Sequence, residues 1–143
     1  MSRALLGVYS TPRNSGLPEP VREDEVLARF IFDRKHLRTL PSSAVKYHAF
    51  LPNPANNQTS VFRKVRMTDQ EYKDTKLKVE GERGRKMKGT ALVDVATVTE
   101  SGVSVKPEES QYRWHADIEG WPLEKDEAMA IAQQIAAKAE VES

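Results

Sequence analysis

The chain has 143 residues, of which 38% are hydrophobic and 30% are charged, a composition that suits one globular domain with a modest core. It contains no cysteine, which excludes disulfides, thiolate metal ligands and a cysteine nucleophile, and which is typical of a reducing, cytoplasmic location. No apolar run approaches the roughly 20 residues of a membrane helix, and the short apolar start does not resemble a secretory signal.

The net charge of +1 conceals an asymmetry along the chain. Residues 28–88 contain 15 Lys and Arg against 6 Asp and Glu, a difference of +9. Residues 89–143 contain 4 against 11, a difference of −7. Such a division predicts either complementary charges within the fold or a basic surface for an anionic partner.

The N-terminal residues 1–25 are predicted to form a disordered or partner-docking segment. Pro12, Pro18 and Pro20, together with the polar residues 14–16, interrupt any helical or strand periodicity. Residues 26–143 are then expected to form a single α+β domain.

Alternating apolar residues predict several short strands in the first half of that domain. Residues 26–33 form the first, with Phe30 and Phe32 on the face of Ala28. Residues 45–51 are predicted as the second strand, and residues 60–65 as its hairpin partner.

Capping residues mark the predicted helices. Thr68 and Glu71 form a capping box that starts a helix over residues 69–79, which Gly81 is expected to end. A strand over residues 89–93 follows. Residues 94–101 favour a short helix by their Asp94 cap, although their β-branched residues leave a strand open. A short strand near residues 103–105 then ends at Pro107.

The stretch before the last helix holds both tryptophans. Trp114, Ala116 and Ile118 alternate with polar residues as in a half-buried strand, and Trp121 is expected to pin the following helix to the sheet. That helix, over residues 123–140, has a narrow alanine-rich apolar stripe. These elements predict a compact α+β domain, with a mainly antiparallel sheet of four to six strands packed by the C-terminal amphipathic helix.

Two short motifs resemble those of a set of small uncharacterised bacterial proteins. The first is the segment SVFR at residues 60–63, and the second is the histidine-alanine…glycine-tryptophan-proline pattern at residues 115–122. The likeness spans roughly residues 28–140. It implies a bacterial-type protein of one domain and implies no activity.

The polar side of the predicted strand at residues 113–117 is the candidate catalytic site. Arg113, His115 and Asp117 are spaced by two, so they would project from one side, and Lys46 and His48 would join them if the second strand lay alongside. This set would suit general acid–base cleavage of a phosphodiester. The alternative is a solvated face whose charges pair across strands.

The sequence predicts no cofactor and no metal ion. The three histidines have no close ligand spacing, which leaves only a tertiary set of His48, His115 and Asp117 as a metal alternative. The stretch from Gly81 to Gly89 lacks the Gly-Lys-Ser/Thr ending of a phosphate-binding loop.

A basic cluster is the candidate nucleic-acid-binding site. Its members are Lys76, Arg83, Arg85, Lys86 and Lys88. Such a cluster would contact phosphates without recognising bases. The sequence thus favours a small intracellular binding module for nucleic acid or a protein partner, with two alternatives: an RNA- or phosphoester-processing enzyme that uses His115, and an accessory subunit of a larger complex.

Overall fold

The computed structural model describes residues 18–37 and 45–142. Its centre is one antiparallel sheet of six strands in the order β4-β5-β2-β1-β3-β6. The strands are β1 (Val26–Ile31), β2 (Thr59–Arg63), β3 (Gly89–Asp94), β4 (Ser104–Pro107), β5 (His115–Glu119) and β6 (Glu140–Val141), and the helices are α1 (Asp69–Arg83), α2 (Val95–Glu100) and α3 (Lys125–Lys138). The predicted α+β domain, with its antiparallel sheet and C-terminal helix, is confirmed.

One face of the sheet carries the larger core, under α3. The buried face of α3 consists of Ala128, Ala132, Ile135 and Ala136. Because three of these four side chains are single methyl groups, the helix can approach the strands closely. Trp121 belongs to the same core at 3% exposure and donates from Nε1 to the carbonyl of Ile118 at 3.1 Å, as its predicted position between sheet and helix requires.

The prediction of a second strand over residues 45–51 is wrong. Residues Tyr47–Phe50 form a short 3-10 helix, and Ala49 and Phe50 are both fully buried. A strand would direct these neighbours to opposite faces, whereas a helical turn buries them together. Thr59 Oγ1 donates to the carbonyl of Phe50, and Arg29 Nε donates to that of Ala49, so the turn's carbonyls are satisfied. β2 instead pairs with β1 and β5.

The other face of the sheet is covered by α1. The buried side chains between them are Ala28, Phe30, Phe32, Phe62, Tyr72 and Val79. Ala28, Phe30 and Phe32 therefore share a face as predicted. The rings of Phe30 and Phe62 stack with centroids 4.8 Å apart, which ties β1 to β2 beneath the helix.

The predicted starts of α1 and α2 are confirmed, but α1 continues beyond its predicted end, and α3 is two residues shorter at each end than predicted. Thr68 and Glu71 form the capping box, and Asp94 accepts from the Thr97 N–H at the start of α2. Gly81 lies within α1, and Gly84 ends the helix at φ +65°, with its N–H bonded to the Glu80 carbonyl. Left-handed backbone geometry, which glycine adopts freely, therefore marks the true terminus.

The segment before β1 packs onto the domain where it is described. Glu25 is 2% exposed, and the carbonyls of Glu19 and Pro20 accept hydrogen bonds from the Arg63 guanidinium. Residues 1–17, the greater part of the predicted N-terminal segment, lie outside the described residues. Within residues 18–37 and 45–142, no helix is long and apolar enough to cross a membrane.

Candidate functional site

The register of β2 and β5 places a polar group on the α1 face of the sheet. Ser60 lies opposite Asp117, and Phe62 lies opposite His115. Residues opposite each other in an antiparallel pair project to the same side, and so do residues two apart. Ser60, Asp117 and His115 therefore share one face, and Ser60 Oγ is 2.6 Å from His115 Nε2.

The hydrogen bonds of His115 assign its tautomer. Nδ1 lies 2.7 Å from the backbone carbonyl of Glu108, which can only accept, so Nδ1 carries the proton of the neutral ring. Nε2 is then an acceptor, and the Ser60 hydroxyl donates to it. The Glu108 carboxylate is a further partner, with Oε1 3.2 Å from Nδ1. Glu108 is held in place because its own N–H donates to the carbonyl of His115 at 2.9 Å.

Two carboxyl groups beside His115 have opposite electrostatic environments. Burial raises the pKa of Asp117, and Glu108 and Glu119 raise it further against the effect of His115. The pKa of Glu108 is lowered, and the main cause is a hydrogen bond from the Ser110 hydroxyl. The Ser110 N–H and His115 lower it further, whereas burial opposes them. Glu108 is therefore a carboxylate at neutral pH, on the Nδ1 side of the ring.

A cavity of about 270 Å³ opens beside this group. It lies between β2, β5, the C-terminal end of α1 and the loop that follows β4, and its lining includes Ser60 and His115. The remaining lining residues are Phe62, Val79, Glu82, Arg83, Glu108, Gln111 and Tyr112. Burial and the nearby Glu82 raise the pKa of Tyr112 to about 12, so the phenol stays protonated and donates to Glu82. The cavity therefore combines apolar walls with a small charged rim.

A metal ion fits this group poorly. Glu108, His115 and Asp117 each offer a donor atom, and these atoms lie within 4.8 Å of one another. The carboxylates approach different ring nitrogens, however, Glu108 at Nδ1 and Asp117 at Nε2, where Oδ1 is 3.9 Å away. An ion binds one nitrogen of a ring, so the two carboxylates do not converge around a single ion in this arrangement.

The prediction that Arg113 and His48 belong to this group is wrong. Trp114 has φ +66°, which breaks the strand alternation before β5, and the exposed Arg113 guanidinium lies over the Trp114 ring, 4.0 Å from Glu71. His48 is exposed at the Tyr47–Phe50 turn and lines a different cavity, against α3. The tertiary metal set of His48, His115 and Asp117 is therefore not formed.

A second candidate site is the surface that contains four of the five residues of the predicted basic cluster. Lys88 N–H bonds to the carbonyl of Ile31 at 2.7 Å, and Arg85 Nη2 bonds to that of Phe32 at 2.8 Å. These bonds hold the loop after α1 against the turn after β1. Both segments carry cations, as does the neighbouring 3-10 helix at Tyr47–Phe50 with its preceding residue, and we name this set the basic strip: Arg34, Lys35, His36, Lys46, His48, Arg83, Arg85, Lys86 and Lys88.

The strip is continuous across its three segments. Lys46 N–H bonds to the carbonyl of His36 at 2.8 Å, and the rings of His36 and His48 lie nearly parallel with centroids 6.3 Å apart. Asp33 lies within the strip, and its N-capping bond to the backbone of Lys35 is the main cause of its lowered pKa, with Lys35, His36 and Arg85 contributing.

Lys76 does not belong to the strip. Its ammonium pairs with Glu142 at 2.8 Å and lies 4.2 Å from the centre of the Tyr72 ring. Lys76 therefore helps to hold the residue after β6, Glu142, against α1, and its charge is largely compensated. The other four members of the predicted nucleic-acid cluster are all exposed.

Sequence reasoning missed Ser60 and Glu108. The available signal for Ser60 was a small hydroxyl residue two positions before Phe62, on a face that is otherwise apolar. Glu108 had no such signal, because it approaches His115 from the loop after β4 and its main contact uses a backbone carbonyl.

Comparison with known proteins reveals no relative. No protein-family model matches the chain, and no curated protein and no solved structure matches it significantly. The likeness to small bacterial proteins remains a prediction from the two motifs.

Proposed function

We propose that the protein is an intracellular binding module for single-stranded nucleic acid, which contacts phosphates through the basic strip. The observation that supports this function is the junction of the loop after α1 with the turn after β1. Through the Arg85 side chain and the Lys88 N–H, it joins cation-bearing segments from separate parts of the chain. A nucleic acid that lies along this surface would release condensed counterions from several phosphates.

The cations of the strip are available for a ligand. Within residues 18–37 and 45–142, none of its lysines or arginines forms an ion pair within 4.0 Å of a carboxylate; the pairs present involve other cations. Side chains without ion-pair partners lose little internal stabilisation when they bind phosphates. This distinguishes the strip from Arg63, Arg66 and Lys76, which are all paired.

Aromatic rings at one end of the strip favour a single strand over a duplex. His48 is exposed, and its ring stacks on Tyr47 with centroids 4.0 Å apart. Unpaired bases stack on such rings for about 1–3 kcal/mol each, whereas the bases of a duplex are already stacked and paired. We therefore expect tighter binding of single strands, with little dependence on sequence.

The test is a titration of labelled single-stranded and duplex oligonucleotides at several salt concentrations. Replacing Lys35, Lys86 and Lys88 by Ser should weaken binding and reduce the slope of log K against log salt by about 0.7 for each phosphate that the variant no longer neutralises. The matched control replaces three exposed lysines outside the strip, Lys106, Lys125 and Lys138, with the same change in net charge.

The control separates a local effect from a general one. If both triple variants lose affinity equally, net charge rather than the strip governs binding. Absence of binding at low salt removes the proposed function. Changing His48 to Ala should reduce the preference for single strands and leave the salt slope unchanged, because base stacking releases no counterions.

A further inference from the structure

We infer that the cavity beside His115 is a nucleophilic site for acyl transfer, in which Ser60 attacks the carbonyl carbon of a small, uncharged carboxylic ester. His115 is the general base, and Glu108 is the positioning residue that orients it. This activity goes beyond nucleic-acid binding, and the cavity shares only Arg83 with the basic strip.

The geometry of Ser60 and His115 is that of an activated hydroxyl. A serine needs a base within hydrogen-bond distance of Oγ, and that base must carry its lone pair on the facing nitrogen. Both conditions hold, because Oγ is 2.6 Å from Nε2 and the Glu108 carbonyl holds the ring proton on Nδ1 at 2.7 Å. A third group that fixes the base completes the nucleophile–base–orienter pattern of serine hydrolases.

The carboxylates beside the ring favour the charged state of His115 that forms during the reaction. When Nε2 takes the proton from Ser60, the ring becomes an imidazolium between Glu108 Oε1 at 3.2 Å and Asp117 Oδ1 at 3.9 Å. These groups lie in a partly buried environment, where the side chain of His115 is 13% exposed. Opposite charges at such distances stabilise an ion more strongly there than in water.

The charges of the cavity determine the class of substrate. Two acidic residues, Glu82 and Glu108, line the cavity. Among the described residues that line it, Arg83 is the one Lys or Arg. A phosphodiester would bring a further negative charge towards two carboxylates, whereas an ester brings none. Phe62, Val79 and Tyr112 supply apolar contacts for an acyl chain, and a cavity of about 270 Å³ suits a small one.

The reaction is balanced with water as the only co-substrate. Ser60 Oγ bonds to the carbonyl carbon while its proton moves to Nε2, and Arg83 is the cation available to the resulting oxyanion. The tetrahedral intermediate expels the alkoxide, which takes the proton from Nε2 and leaves as the alcohol. Water then attacks the acyl-serine and gives a proton to Nε2. That proton returns to Ser60 Oγ as the acid leaves.

The first test is labelling of the intact protein with a fluorophosphonate, followed by peptide mass spectrometry. We expect the label on Ser60, and we expect unfolding in urea to abolish the labelling. Wild-type protein suffices for this measurement, so it does not depend on a variant that folds. A label confined to other residues, or no label above that of the unfolded chain, would overturn the inference.

The second test is hydrolysis of p-nitrophenyl acetate. Replacing Ser60 by Ala should remove the activity, and replacing His115 by Gln should reduce it about 100-fold or more, the range of a general base. Replacing Ser104, an exposed serine on β4, by Ala is the matched control and should have no effect. The variant with Lys35, Lys86 and Lys88 replaced by Ser should keep full activity, because none of these three lysines lines the cavity.

Two results would contradict the site or its substrate class. If hydrolysis survives in the Ser60 variant, the reaction does not use this nucleophile. If bis(p-nitrophenyl) phosphate is hydrolysed and p-nitrophenyl acetate is not, the site acts on phosphoesters and the acyl class is wrong.

Discussion

Arg63 and Glu25 form a bidentate ion pair in which both side chains are almost wholly buried. Arg63 Nε and Nη2 donate to Oε1 and Oε2 of Glu25, each at 2.8 Å. The guanidinium also donates to the carbonyls of Glu19 and Pro20. This pair anchors the chain before β1 to the end of β2, and its hydrogen bonds offset the cost of burying both charges.

Replacing Arg63 by Met should destabilise the fold by about 3–5 kcal/mol, because it leaves the Glu25 carboxylate buried without this counterion. Replacing both, as Arg63→Met with Glu25→Leu, should recover part of that stability, since apolar side chains of similar volume carry no desolvation cost. Urea unfolding monitored by tryptophan fluorescence measures the free energy of unfolding of the wild type and of both variants.

The control for this experiment is the exposed pair of Arg22 and Asp24. Their side chains are 69% and 72% exposed and approach to 3.3 Å. Replacing Arg22 by Ala should change the free energy of unfolding by less than about 1 kcal/mol. A similarly small effect from Arg63→Met would show that the buried pair is not a structural anchor.

Acid should weaken the same anchor. Burial alone would raise the pKa of Glu25, but hydrogen bonds from Arg63 and from the Arg22 N–H, together with nearby positive charge, lower it below 4.5. Because the folded pKa lies below the unfolded one, this contribution is complete above the unfolded value and is lost as the pH falls through the folded value. In Glu25→Gln, the free energy of unfolding should be lower at pH 7 and should fall less between pH 5 and pH 3. An unchanged slope would contradict the assignment.

The sequence predicted the elements whose signals are local. The Thr68 capping box, the Asp94 cap and the apolar stripe of the last helix depend on residues close together in the chain, and all three are confirmed. Residues 45–51 misled because their alternation mimics a strand. Tertiary contacts decide their conformation, namely the bonds from Arg29 and Thr59 to the carbonyls of the turn.

The candidate sites were less predictable than the fold, because they depend on contacts between distant segments. The sequence identified His115 and Asp117, but their partner Ser60 required the register of β2 against β5, and Glu108 required the course of a loop. In the same way, the loop residues Arg85 and Lys88 were predicted as basic. Their junction with the turn after β1 depends on bonds to backbone carbonyls, which no side-chain pattern encodes.

Two glycines at the end of α1 should respond to alanine in opposite directions. Gly81 lies inside the helix with open space around its Cα, so Gly81→Ala should stabilise the protein by about 0.5–1 kcal/mol. Gly84 has φ +65°, a conformation that costs an L-residue about 1–2 kcal/mol, so Gly84→Ala should destabilise it. Thermal unfolding of both variants decides this, and equal effects would mean that α1 does not end at Gly84.

The proposed nucleic-acid binding at the basic strip should strengthen as the pH falls below 7. Burial lowers the pKa of His36; Asp33 opposes this effect, while Arg29, His48 and Lys46 add to it. The ring is therefore mostly neutral in the free protein at neutral pH. A bound phosphate would favour the imidazolium and raise this pKa, so binding takes up a proton.

Each unit by which the ligand raises the pKa of His36 corresponds to about tenfold in affinity once the pH is below both values. The measurement is the dissociation constant of a single-stranded oligonucleotide from pH 8 to pH 5.5 at fixed salt. In His36→Gln, the dependence on pH should flatten while the affinity at pH 8 stays close to wild type, because the neutral ring contributes no charge there. His115→Gln is the control, since His115 lies at the cavity on the α1 face and should not alter binding to the strip. A pH dependence that persists in His36→Gln would place the titrating group elsewhere.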